Sequence, residues 1–325
     1  MLRSIDSARS GLLALTVGVL CGLGCSGDEP PPVQPPPVPQ LAAPRIAFSS
    51  SRTGTVGVHL YDPTNGQIVR ISPAGALDQQ AVISPDGMRI AFVDFRSSSP
   101  RIMTMAVDGN DRATCTNDPT VTDTRPHWSP DSRRLMFTRT KNATGEHDVF
   151  TAGVHGDSLV RVTADGKSKA FDWSPDGTKL LVARDSLYLP YPDAILNDMI
   201  TVDVDGSNPH SLFGWLAWNM VGADYSPDGT RIIFSYERLP SSSPRLDISN
   251  SDGSDRHYLV ESTNFSISGG IAPPSWSPDG SKIVFSAHTD LDTDDLYTIV
   301  PDGSEPAPLL GGAAYDLEPD WGPKP

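Results

Sequence analysis

The chain is poor in cysteine and in positive charge, and no hydrophobic run is long enough to span a bilayer. Its 325 residues include 3 cysteines and 25 Lys and Arg against 40 Asp and Glu, for a formal charge of −15. Without a basic cluster it has little to offer the phosphates of a nucleic acid or an anionic lipid surface. The short catalytic signatures are missing too. No Gly-x-Ser-x-Gly elbow, His-Glu-x-x-His or Cys-x-x-Cys occurs, which argues against hydrolase-fold nucleophiles and zinc chemistry. Asp165-Gly166-Lys167-Ser168 ends like a phosphate loop, but Arg161 stands where that loop needs its first glycine.

Glycine and proline are what the chain has in excess. Its 28 glycines and 31 prolines make up roughly 18% of it, against about 12% in an average protein. Many tight turns mean many short strands, so the composition points to an all-β fold. The prolines are densest in residues 26–44, SGDEPPPVQPPPVPQLAAP. That segment cannot join a helix or a sheet and should run as an extended polyproline spacer.

The segment before it reads as an address. Arg3 and Arg9 precede an apolar stretch from Gly11 to Gly24, too short to span a bilayer and of the length of a secretory core. The ending Gly22-Leu23-Gly24-Cys25 resembles the bacterial lipobox, with Gly22 where leucine is usual. The resemblance implies cleavage and acylation at Cys25, and Ser26 implies sorting to the outer membrane; the alternative is plain cleavage and a free periplasmic protein. With Cys21 removed and Cys25 lipidated, Cys115 is the only thiol left, expected to be a small buried strand residue. The expected organisation is a signal peptide (1–24), a tether (25–44) and a folded domain (45–325).

Within that domain one unit repeats. Ser-Pro-Asp-Gly begins at Ser84, Ser174, Ser226 and Ser277, Ser129-Pro130-Asp131-Ser132 is a variant, and Asp320-Trp321-Gly322-Pro323 is a truncated sixth copy. Pro pre-sets φ, Asp tolerates the next position and Gly takes positive φ, so each copy is a tight turn. Trp128, Trp173, Tyr225, Trp276 and Trp321 precede it; Ile83 is the exception. Apolar runs without alternation follow, such as Ile90-Ala91-Phe92-Val93, and need cover on both sides. Asp108-Gly109, Asp205-Gly206, Asp252-Gly253 and Asp302-Gly303 add hairpins. Four antiparallel strands per roughly 45 residues make one propeller blade. The domain opens on a second strand (Arg45-Ile46-Ala47-Phe48) and closes on a first strand (Asp320-Trp321), so the two ends should share a blade, giving six in all and no open sheet edge.

These repeats resemble the TolB-type, WD-like six-bladed propeller of bacteria over about residues 45–323. The resemblance implies a binding scaffold for an envelope protein or a cell-wall component, monomeric and held to the membrane only by its lipid. The α/β domain that precedes the TolB propeller has no counterpart here. Two alternatives carry different chemistry: a propeller hydrolase or lyase with a divalent cation at the channel mouth, and a small-ligand sensor.

Candidate site residues fall in two groups. Asp172, Asp224 and Asp320, with His127 at the matching place, lie two residues before the turn serine. From equivalent innermost strands they could either hold a cation or accept backbone amides of the next blade, since buried carboxylates need partners. Calcium is the cation considered; Asp290, Asp292 and Asp294 have its initial ligand spacing, but Asp295 and Pro301 replace the required Gly and Glu. The second group sits in insertions at 185–197, 213–223 and 261–274, which all leave the blades on the face opposite the tight turns. Tyr188, Tyr191, Phe213, Trp215, Trp218 and Phe265 make these loops either a partner surface or a cover for the channel mouth and blade edge.

Overall fold

A computed structural model of the protein describes residues 43–187, 195–216, 218–238, 243–260, 273–288, 293–304 and 306–324. Cys25, the leader and most of the tether lie outside these residues. The first three strands are β1 (Arg45–Ser50), β2 (Gly57–Tyr61) and β3 (Ile68–Arg70). Blade 1 follows with β4 (Asp78–Ile83), β5 (Arg89–Asp94), β6 (Arg101–Ala106) and β7 (Ala113–Thr114). Blade 2 comprises β8 (Val121–Trp128), β9 (Arg134–Lys141), β10 (His147–Gly153) and β11 (Val160–Arg161). Blade 3 comprises β12 (Ser168–Trp173), β13 (Lys179–Leu187), β14 (Ile195–Asp203) and β15 (His210–Ser211). Blade 4 comprises β16 (Trp218–Tyr225), β17 (Arg231–Arg238), β18 (Ser243–Asn250) and β19 (His257–Val260). Blade 5 comprises β20 (Ser275–Trp276), β21 (Ile283–His288), β22 (Asp294–Ile299) and β23 (Ala307–Leu310). The last strand, β24 (Asp316–Gly322), pairs with β1 to complete blade 6 from both ends, with Ile46 opposite Trp321 and Ala47 opposite Asp320. The chain is an all-β, six-bladed propeller.

The unalternating apolar runs have a simple destination. In β5, Ile90 and Phe92 enter the wedge against blade 6, while Ala91 and Val93 enter the wedge against blade 2. In β13, Leu180 and Val182 pack toward blade 2, whereas Leu181 and Ala183 pack toward blade 4. Each middle strand thus serves two cores, and six apolar clusters fill the six wedges. The aromatic before each tight turn is buried in this system, Trp276 at 2% exposure and Trp321 at 8%. Cys115 is also buried beneath the wedge of blades 1 and 2, and burial pushes its thiol up to about 11.

The tight turns use more of their residues than φ preferences require. Gly87, Gly177, Gly229 and Gly280 have φ between 67° and 70°, and Ser132 takes 58° in the variant copy. In all five copies the turn serine donates to the turn aspartate at 2.6–2.7 Å. The same serine oxygen accepts the amide five residues on at 2.9 Å.

The insertions at 185–197 and 213–223, expected as loops, are in large part strand. β13 and β14 stay paired out to Leu187 opposite Ile195, and β16 begins at Trp218, opposite Arg238. Asn197 staples this extension: it donates to Asp185, and its side-chain oxygen accepts the Met220 amide at 2.6 Å. Paired backbone satisfies groups that a long loop would leave to solvent.

Candidate functional site

The innermost strands surround a channel of about 290 Å³ lined by residues of all six blades. Its wall is largely apolar, with Pro126, Phe171, Ala223, Pro274 and Pro319 among the lining residues. At the end next to the tight turns stand His127, Asp172, Asp224 and Asp320. Each carboxylate accepts an amide from the following blade: Tyr225 to Asp172 at 2.9 Å, Trp276 to Asp224 at 2.8 Å and Ile83 to Asp320 at 2.7 Å. Of the two roles open to these aspartates, amide acceptance is the one the geometry displays. It ties neighbouring blades together at the axis.

One residue at this end was not foreseen from the repeats. Lys324 donates to both oxygens of Asp224 at 2.5 and 2.6 Å. Burial, with the Asp224 charge adding to it, raises Asp172 well above the usual carboxylate range. Burial likewise lifts Asp320 to about 6, against the pull of Lys324. His127 goes the other way, to about 3, because burial disfavours its charged form. Among the described residues, no group of three or more His, Cys, Asp or Glu is arranged to hold a metal ion.

Toward the other end, the innermost strands bulge, and Gln80, Arg125 and Glu318 take left-handed φ of 54–57°. Here too each blade caps the next. The Gln80 amide donates to Glu318 at 3.0 Å, and the Arg125 amide donates to the Gln80 side chain at 2.9 Å. The Arg125 guanidinium then crosses to the Val221 carbonyl at 2.6 Å.

On the loop face the described aromatics have separate places. Trp215 is 47% exposed, and the Arg184 guanidinium lies 5.5 Å from its ring centre. Phe213 is half-buried on Phe234, with ring centres 5.0 Å apart. Trp218 is buried, stacked on Tyr236 at 4.1 Å with the Arg256 guanidinium 3.9 Å from its ring centre. Arg256 in turn donates to Asp247 at 2.8 Å and to the Tyr236 hydroxyl at 3.0 Å. Phe213 and Trp218 therefore pack into the wedge of blades 3 and 4, whereas Trp215 stays exposed. Tyr188, Tyr191 and Phe265 lie outside the described residues.

No family model matches the chain. Over 162 residues it is 29% identical to an uncharacterized protein of Agrobacterium fabrum, covering 48% of this chain and 53% of that protein. Over 124 residues it is 30% identical to the Tol-Pal system protein TolB of Anaeromyxobacter dehalogenans, covering 38% of this chain and 26% of that one. The fold matches the crystal structure of TolB from Acinetobacter baumannii with a TM-score of 0.71, at 20% identity, over 86% of this chain and 67% of that chain. The chain is a TolB-like propeller. The aligned segments span about half of the first of these sequence relatives and a quarter of the second. For the TolB-like propeller, the position of the three aspartates was readable from their spacing to the turn. Lys324 and Arg125 carry no such signal, because neither recurs from blade to blade.

Proposed function

We propose that this TolB-like propeller is a binding scaffold of the cell envelope, lipidated at Cys25 and sorted to the outer membrane, that holds a partner protein on its loop face around Trp215. The observation that carries the reading is where the exposed large apolar side chains lie. Leu77, Trp215 and Tyr315 all sit on connections from an outermost strand to the next blade. Val69, Leu159, Val160 and Tyr258 belong to outermost strands or abut them. Among the described residues none occupies a Ser-Pro-Asp-Gly turn. Exposed aromatics on a rigid support are the usual centres of binding energy, and connections on a fixed scaffold are where binding residues concentrate. The name of the Anaeromyxobacter relative associates that protein with the Tol-Pal system, which supports an envelope protein over a cell-wall polymer as partner.

The test compares the two faces. A photo-crosslinking residue at position 215 should capture one envelope protein in intact cells, and the same residue at Asp176 on the turn face should not. Trp215→Ala should weaken that complex by about 30-fold or more, as for a hot-spot residue. A Trp215→Ala chain that folds and binds with full affinity overturns the reading. Cys25→Ser should move the protein from the membrane to the soluble envelope fraction; retention on the membrane would remove the lipid anchor from the proposal.

A further inference from the structure

The turn-side end of the channel holds one group that the repeat does not supply. The ladder between β24 and β1 ends at Gly322, and two residues later Lys324 reaches Asp224 of blade 4 across the ring. Lys324 pairs with no strand, so its side chain can leave without unpairing a single rung of the closing sheet. A quarter of its side chain remains exposed, and both it and Asp224 line the 290 Å³ channel.

The surroundings match an ammonium group. Asp172, Asp224 and Asp320 come from three blades, and each has already satisfied one oxygen with an amide of the next blade. They share an end of the channel whose neighbouring wall is proline, alanine and phenylalanine, where attraction between charges is weakly screened. A compact cation with N–H donors and no acceptor suits this end, where Lys324 donates to both oxygens of Asp224 and lies within electrostatic reach of Asp172 and Asp320. Lys324 alone brings one positive charge to them.

We infer that this end of the channel is a primary-ammonium site which Lys324 fills from within, acting as a removable stopper for an alkylammonium ligand such as a lysyl side chain of another protein. The inference stands apart from the loop-face reading, since it concerns the opposite end of the axis and none of the same residues.

Chemical rescue tests it. In the full chain, Lys324→Gly leaves the site open, and thermal unfolding is followed with and without n-butylammonium. The variant should melt several degrees below the unaltered chain. n-Butylammonium should raise its midpoint saturably, as a ligand of the native state does, while 1-butanol and sodium chloride do not. The unaltered chain should respond much less, because Lys324 competes for the site, and adding Asp224→Asn to Lys324→Gly should abolish the rescue. Equal responses in the variant and the unaltered chain, or no response in either, overturn the proposal. If Lys324→Gly does not fold, amine acetylation of the unaltered chain supplies the second readout. Lys324 should react at least tenfold more slowly than the exposed Lys167, and n-butylammonium should speed its labelling by displacing it. Labelling of Lys324 at the rate of Lys167, or at a rate that n-butylammonium leaves unchanged, overturns it as well.

Discussion

The two faces of the ring are made by the same repeating unit, yet they hold themselves together differently. On the turn face five serine–aspartate pairs close five turns with nearly one geometry. Within each pair the two residues are two apart in sequence. Toward the loop face the stabilising groups are ion pairs, and among the described residues five of the six blades carry a buried aspartate paired with an arginine. Asp78, Asp94, Asp123, Asp148, Asp198, Asp247 and Asp316 are buried, and each is paired with an arginine. The lesson is that the turn face repeats one local device, whereas the opposite face relies on ion pairs whose partners differ from blade to blade.

The largest test of this contrast attacks the closure that both faces share. A chain ending at Tyr315 loses β24, and with it the Arg52–Asp316 pair, the Trp321 packing and the Asp320 bond to blade 1. Calorimetry should show no cooperative native transition; an unchanged melting temperature would mean that blade 6 is not the clasp. Next in size come the ion pairs. Arg139→Ala strands the buried Asp123 carboxylate and should cost about 3–5 kcal/mol. Asp131→Ala on the turn face removes local hydrogen bonds and should cost only about 1 kcal/mol. Denaturant titrations giving equal losses would erase the difference between the faces.

Two hairpin glycines sharpen the picture further. Gly66 and Gly156 occupy the same place in their blades with φ of 74° and 80°. A Cβ on Gly66 meets open space, but on Gly156 it falls on the Cys115 carbonyl of the preceding blade. Gly66→Ala should cost about 1 kcal/mol for the left-handed backbone, and Gly156→Ala at least twice that, because the blades must separate.

Acidity probes two histidines, His127 at the channel end beneath the turns and His59 in β2. His127 titrates at about 3 and His59 at about 4 in the folded chain, below the unfolded value, so acidification from pH 6.5 protonates the unfolded state first and stability falls. The slope approaches about 1.4 kcal/mol per pH unit for each histidine. Asp320, at about 6, acts in the opposite sense: the native state holds its proton between about pH 4 and 6, so its contribution weakens as pH rises through that window. His127→Gln should therefore flatten the acid limb of stability, and Asp320→Asn should steepen it. The smallest effect is expected at Trp215, where Ala should change stability by less than about 0.5 kcal/mol while weakening the proposed complex.

Most of the ring was legible before any coordinates. The turn motif, the runs without alternation and the blade shared by the two ends lead to six blades, and the spacing of Asp172, Asp224 and Asp320 to the turn left two roles open, of which the folded ring displays amide acceptance. The insertions were legible only as extra length. That Trp218 would stack on Tyr236, with Arg256 against it, depended on where three separate strands brought their side chains. Pairing with Arg238 made residues 218–223 a strand, and no local pattern announces such an extension.

What the amino-acid order determined alone is the unit and its count, because a tight turn, a hairpin and a run of apolar residues express preferences spanning a few residues. What only the folded ring decided is which side chains share the axis. Lys324 and Asp224 are 100 residues apart in the chain, and no spacing rule links them. They meet because six wedges of packed side chains close the ring and bring the innermost strands to one channel, where a buried carboxylate draws the nearest cation.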